Sequence, residues 1–283
     1  MKLFRLFVVA CILTFCAGRA AAQETPAPKT YKIYAVCDAH LDTQWNWDLT
    51  HTIREYIPRI LFQNLWMLER YPDYKFNFEG GIIYRWMKEY YPLHYARLQK
   101  YIDEGRWHIS GASWNANDPN MPSAESFIRN ILQGQELYKR EFGVRSTDIF
   151  LPDCFGFGYT LPSLAAHCGL IGFSTQKLSW RKHDFFPDAP YHKKNPFSWG
   201  VWYGIDGQSL MAAFDTGGYT AELPADAGDN KDFIRRASNG FDNTALGYYS
   251  GGHLHGTTNC GDKGNSGTVT TARWNHRKVS ILT

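Results

Sequence analysis

The chain has 283 residues, with 30 basic and 27 acidic side chains, a net charge of +3 and 44% hydrophobic residues. That apolar content supports a packed globular core and argues against a disordered chain, and charges scattered without a long run of one sign argue against a nucleic-acid partner. Aromatic residues make up 16% of the sequence; most are expected in the core, although such rings also stack on sugars.

Residues 1–22 read as an export signal: Lys2 and Arg5 supply the positive start, Leu6 to Ala17 the apolar stretch, and Ala20-Ala21-Ala22 a small-residue cleavage site before Gln23. The apolar stretch is shorter than the roughly 20 residues a membrane span needs, and no later segment approaches that length. The expectation is an exported protein, periplasmic or extracellular, with no membrane span. Residues 23–30, polar and Pro-containing, form a tether. The cysteines that follow, at positions 37, 154, 168 and 260, lack the paired spacing of a zinc knuckle or a disulfide framework.

Tyr31 to Val36 alternates and is rich in strand formers, and it runs straight into Cys37-Asp-Ala-His40-Leu-Asp42. A helix is predicted from Thr52 to Glu69 despite Pro58. A strand is predicted from Tyr74 to Phe78, then a Gly80-Gly81 turn and an aromatic helix around Ile83 to Leu98. Trp107 to Ser110 is a third short strand. The clearest helix runs from Ser123 to Phe142: Ser123 caps it, Glu125 lies in its first turn and Gly143 ends it. Phe127, Ile128, Ile131, Leu132, Tyr138 and Phe142 recur near helical spacing and mark its buried face. Thr147 to Leu151 is a strand, Leu161 to His167 a short helix with Pro162 near its start, and Ile171 to Thr175 another strand. Trp199 to Phe214 reads as a hairpin about Gly204-Ile-Asp-Gly207. Alternating strands and helices imply a parallel sheet.

Two strand ends carry the chemistry. His40 and Asp42 are two apart, so in an extended segment both side chains point the same way and can hold two positions on a metal. The pair also suits a plain hydrogen bond, but it precedes Thr43-Gln-Trp45-Asn-Trp47, and a metal pocket beside tryptophans suits a sugar. Asp153 lies just past another predicted strand, where α/β barrels collect catalytic groups; an Asp there can equally cap the turn into the next helix. Lys177 follows the next strand, where a lone lysine is ordinarily a solvated charge.

Taken in order, these segments resemble glycoside hydrolase family 38 over about Tyr31 to Leu223. The likeness rests on His40-Leu-Asp42 with Trp45, Gly105-Arg-Trp107 leading to Trp114, and Asn117-Asp-Pro-Asn-Met-Pro122-Ser123 through Gln133-Gly-Gln135 and Phe142-Gly143. Asp153-Cys-Phe155-Gly156, Thr175-Gln-Lys-Leu-Ser-Trp180 and Gly204-Ile-Asp-Gly207 complete it. The resemblance implies a retaining, zinc-dependent α-mannosidase acting on mannose-containing glycans, built on an incomplete parallel (β/α) barrel over residues 31–249. It implies that His40, Asp42 and Asp153 match three of the four protein ligands of a single Zn2+, with Asp153 also the catalytic nucleophile. Trp45 and Phe155 match rings lining the sugar subsite, and Lys177 is carried with them as a substrate-binding candidate.

The chain departs from that pattern in three places. Phe157 stands where many family members have His. The family's fourth zinc ligand, a later His, has no matching segment here, and His253 and His255 sit in surroundings unlike it. After Tyr249 the pattern is lost, and residues 250–283 read as an irregular tail of the kind an altered reading frame leaves. With the general acid also unidentified, little mannosidase turnover is expected of the chain as it stands. Two rivals share the residue types: a barrel-type zinc polysaccharide deacetylase, which activates a metal-bound water and would release acetate, and a non-catalytic remnant with carbohydrate or zinc affinity.

Overall fold

The structure, a computed structural model, describes residues 37–175, 199–214 and 231. The predicted signal, tether and tail, the run 31–36, and Lys177, His253 and His255 lie outside the described residues. Seven strands are described: β1 (Cys37–Ala39), β2 (Phe76–Phe78), β3 (Trp107–Ile109), β4 (Asp148–Phe150), β5 (Gly172–Thr175), β6 (Trp199–Tyr203) and β7 (Ser209–Phe214). They form two sheets, one parallel in the order β1-β2-β3, the other in the order β4-β5-β7-β6. In the second sheet β4, β5 and β7 run parallel, and only the hairpin partner β6 is antiparallel. The backbone N–H of Ala112, just past β3, donates to the carbonyl of Asp148 at 2.9 Å and links the two sheets. The fold is thus α/β with parallel sheets, as the alternating pattern predicts.

The helices are α1 (Leu49–His51), α2 (Ile57–Arg70), α3 (Gly81–Tyr90), α4 (Pro92–Tyr95), α5 (Leu98–Asp103), α6 (Ala124–Phe142) and α7 (Leu161–His167). The segment predicted as one helix from Thr52 instead starts at Leu49, capped by the Asp48 carboxylate on the His51 N–H at 2.8 Å, and passes through a π turn at Thr52–Tyr56. Pro58 accounts for the irregularity. Its ring and missing N–H forbid an ordinary helical bond one turn back, so regular helix resumes only where Pro58 falls in the first turn of α2. Pro92 likewise separates α3 from α4 within the predicted aromatic helix, and a turn at Ala96–Arg97 separates α4 from α5.

Helix α6 follows its signals: the Ser123 hydroxyl accepts the Ser126 N–H at 3.2 Å, and Gly143 closes the other end. Its buried face differs from the predicted one. Phe127, Ile131, Tyr138 and Phe142 are buried, together with Gly134 and Leu137, whereas Ile128 and Leu132 are exposed. Steps of three and four residues keep the first set on one stripe, and Ile128 and Leu132 fall one residue round the helix toward water. Gly134 lets that stripe press close: a Cβ there would stand 2.2 Å from the Ala112 carbonyl oxygen.

Two apolar clusters back the sheets. One gathers around β1 to β3, with Phe76, Phe78, Tyr84 and Trp107 edge to face or stacked at ring centroid distances of 4.7–6.3 Å. The smaller one gathers around β4, β5 and β7, with Ile149, Leu161, Phe173 and Leu210. Helix α6 serves both: Phe127 and Ile131 belong to the second cluster, and Leu137, Tyr138 and Phe142 to the first.

Candidate functional site

Parallel pairing puts the ends of β1 and β2 side by side, with Ala39 opposite Phe78. The next residue on each strand is polar: His40 after β1 and Glu79 after β2. Their side chains meet, His40 Nδ1 to Glu79 Oε1 at 2.9 Å, with the carboxylate only 7% exposed. Asp42 lies on the other side of the same ring, its Oδ1 3.4 Å from His40 Nε2. That approach lacks the geometry of a hydrogen bond, and Nε2 is buried with no hydrogen-bond partner among the described residues.

Asp153 reaches the same point from the second sheet, past the end of β4. Donor atoms of His40, Asp42 and Asp153 all lie within 4.8 Å of one another. The following helix, α7, takes Thr160 at its N-cap, so Asp153 is not the cap that its position also allowed. The loop carrying Asp153 is held from Asn117 and Asn120. The Cys154 thiol donates to the Asn117 carbonyl at 3.3 Å, and the Asn120 amide donates to the Gly156 carbonyl at 2.8 Å. Asn130 on α6 grips the start of the same stretch, exchanging hydrogen bonds with Asn115 at 3.0 and 3.1 Å, while the Asn115 amide reaches the Thr43 hydroxyl at 3.4 Å.

The electrostatics are one-sided. Burial of the His40 ring works against its charge, but contacts with the Asp42 and Glu79 carboxylates outweigh that and push its pKa up to about 10. Burial pushes Glu79 above its ordinary range, although His40 pulls the other way, and burial also raises Asp148. So many carboxylates around one imidazole call for a positive charge, supplied by a proton or by a cation. The donors suit a divalent cation of the zinc type, which binds imidazole nitrogen and carboxylate oxygen at about 2.0–2.2 Å. Two ligands on a tetrahedral ion with such bonds stand roughly 3.4 Å apart, the separation found between His40 Nε2 and Asp42 Oδ1.

Beside these donors, Trp45 is 60% and Phe155 70% exposed. Trp45 stands edge to face on Trp47, their ring centroids 5.8 Å apart, and Trp47 is fixed through Nε1 to the Thr52 hydroxyl at 2.8 Å. Phe157 turns inward and packs edge to face on Phe173 at 4.9 Å. No helix among the described residues is long and apolar enough to cross a membrane.

Similar proteins point to one family. Residues 30–264 match the Glycosyl hydrolases family 38 N-terminal domain, past position 249 where the sequence pattern changes. Alpha-mannosidase G of Dictyostelium discoideum is 34% identical over 211 residues, covering 75% of this chain and 18% of that protein. Alpha-mannosidase 2C1 of Homo sapiens is 33% identical over 187 residues, covering 66% and 17% respectively. The chain therefore spans less than a fifth of the length of these relatives. An alpha-mannosidase structure from Enterococcus faecalis V583 superposes with a TM-score of 0.60 at 19% identity, over 78% of this chain and 25% of that one, a likeness of fold. The match over most of its length, together with these relatives, places the chain in glycosyl hydrolase family 38, within that family's N-terminal domain.

Proposed function

We propose that the chain carries the zinc-binding and nucleophilic part of a retaining α-mannosidase acting on terminal α-mannosides of glycans. The two sheets are taken as an incomplete (β/α) barrel with the site at its strand ends, in a protein exported to the periplasm or outside the cell. The observation that carries the reading is the convergence of His40, Asp42 and Asp153 from two different sheets onto one point, in a chain of this family.

Zn2+, when bound by His40 Nε2 and the carboxylates of Asp42 and Asp153, supplies a positive charge that grips sugar hydroxyls and favours a distorted ring. Trp45 and Phe155 offer apolar faces for the sugar, and exclude water from one side of it. The Asp153 carboxylate attacks the anomeric carbon as the bond to the leaving oxygen breaks, giving a mannosyl ester on Asp153. The leaving oxygen takes up a proton. Water then gives one proton to the conjugate base of the acid that protonated the leaving oxygen and adds at the same carbon, freeing the Asp153 carboxylate and releasing mannose with its configuration retained. The acid that donates the first proton is not among the residues assigned here.

A dinitrophenyl α-mannoside removes that gap from the test, because its leaving group needs no proton. With zinc present, the chain should form a mannosyl adduct on the peptide containing Asp153, seen by mass spectrometry after rapid quenching. Asp153→Asn should lower the rate of dinitrophenolate release by at least about 1000-fold. An adduct elsewhere, equal rates in the two proteins, or acetate release from an acetylated glycan in place of mannoside cleavage would sink the proposal.

A further inference from the structure

We infer that Glu79 is the positioning residue of the site: its carboxylate takes the Nδ1 proton of His40 and thereby turns Nε2, with its lone pair, toward Asp42 and Asp153. This rests on the reading of those three donors as a cation site.

The register dictates the pairing. With Ala39 opposite Phe78, the residues that follow are neighbours at the same sheet edge, and any long acceptor after β2 meets the ring after β1. Glu79 spans that gap at 2.9 Å. An imidazole that binds a cation has given up one proton and is neutral, with one N–H and one lone pair. Donating Nδ1–H to Glu79 assigns the lone pair to Nε2, the atom that is buried without a hydrogen bond among the described residues and lies 3.4 Å from Asp42 Oδ1. A lone pair facing a carboxylate is repulsive unless a cation lies between them. The hydrogen bond to Glu79 therefore selects the tautomer that a metal needs and excludes the one that would turn an N–H on it.

The setting of Glu79 argues that it is not a filler. A carboxylate buried this deeply costs free energy that an apolar side chain of the same size would avoid, so its presence needs a polar partner, and His40 Nδ1 at 2.9 Å is that partner. The space around it is also shaped for it. Gly111 has φ +59°, and a Cβ there would stand 2.8 Å from Glu79 Oε2 and 3.0 Å from Glu79 Cβ. The absence of a side chain at Gly111 leaves the carboxylate the one place from which it reaches His40.

The test uses the full nitrogen-15-labelled chain in two measurements. The first follows the His40 Nδ1–H resonance, assigned by its loss in His40→Ala. It should persist in the parent protein and in Glu79→Gln, whose amide oxygen still accepts the proton, and vanish in Glu79→Ala. The second is calorimetric titration with zinc chloride. Affinity should fall about 10- to 100-fold in Glu79→Ala, and by less in Glu79→Gln, which keeps the geometry but loses the charge. Circular dichroism checks the fold, and should the alanine variant unfold, Glu79→Met, which fills the space without accepting the proton, replaces it: unchanged zinc affinity there overturns the inference. So does a resonance that survives in Glu79→Ala, or one that vanishes with zinc affinity unaltered. If the parent protein binds no zinc while the resonance still follows Glu79, the cation reading of the site falls, with the metal-positioning role, and only the His40–Glu79 hydrogen bond stands.

Discussion

The two sides of the site are held in different ways. His40 and Asp42 stand on the β1–β3 sheet, backed by the larger, aromatic cluster, and His40 is pinned by a buried carboxylate. Asp153 stands on a loop of the second sheet, beside a ring 70% exposed, and its position depends on hydrogen bonds from the Asn115–Asn120 stretch. The difference is one of support: packing and a buried carboxylate fix the His40 side, and a hydrogen-bonded loop fixes the Asp153 side.

The first sheet depends most on Trp107. Its ring is almost fully buried against Phe76, and its Nε1 donates to the Tyr84 hydroxyl at 2.8 Å. Trp107→Ala should cost about 3–5 kcal/mol in urea unfolding, through the cavity and the lost hydrogen bond. The backbone beneath His40 and Glu79 should loosen with it.

Next is Gly134→Ala, where the added Cβ meets backbone atoms of residues 112, 113 and 114 at 2.2, 2.5 and 2.7 Å. Backbone cannot swing aside as a side chain can, so α6 must shift; a loss of about 3 kcal/mol is expected. Both halves should weaken together, read as a lower urea midpoint by near-ultraviolet circular dichroism.

Gly111→Ala separates the halves. Its positive φ and the contact with Glu79 should cost about 1–2 kcal/mol, but zinc affinity should drop about 10-fold, as the carboxylate is displaced from His40. Loss of stability with full zinc affinity would show that the donor pair is not held through Glu79.

The smallest effect belongs to the second sheet. Asp206, in the hairpin turn, accepts from the Ser163 hydroxyl at 2.5 Å and pairs with His167 at 2.9 Å, tying the turn to α7. The Ser163 hydrogen bond, opposed by desolvation and helped by His167 and the Gln208 N–H, holds its pKa down at about 2, against an ordinary 3.8. A carboxyl whose pKa is lower folded than unfolded stabilises fully above the unfolded value, and that contribution disappears as pH falls through the folded value. Asp206→Asn should thus lower the urea midpoint slightly near neutral pH, and the gap from the parent protein should close between about pH 4 and pH 2.

Much of this was legible in the residues. Ser123 and Gly143 bounded α6, Gly204 to Gly207 announced the hairpin, and the strand ends at His40 and Asp153 pointed to the site. What escaped depended on partners distant in sequence. Ile128 and Leu132 have the same hydrophobicity as their buried neighbours, and only the direction of packing sends them to the surface. Pro58 and Pro92 were visible, but whether a proline ends a helix or is absorbed in its first turn depends on what the helix packs on. Glu79 was missed because a glutamate before two glycines looks like a turn. Its one signal was its place just after a predicted strand, the place His40 occupies after another.

The sharing of α6 between two clusters has a consequence for how the protein opens. Phe127 and Ile131 cannot stay buried if the second sheet separates, nor can Leu137, Tyr138 and Phe142 if the first does. Partial opening of either sheet strips apolar cover from one end of a helix whose other end is still docked. Amide hydrogens from Phe127 to Phe142 should therefore exchange in one slow class, without a step between the two ends, since the docked end holds the helix until both sheets come away.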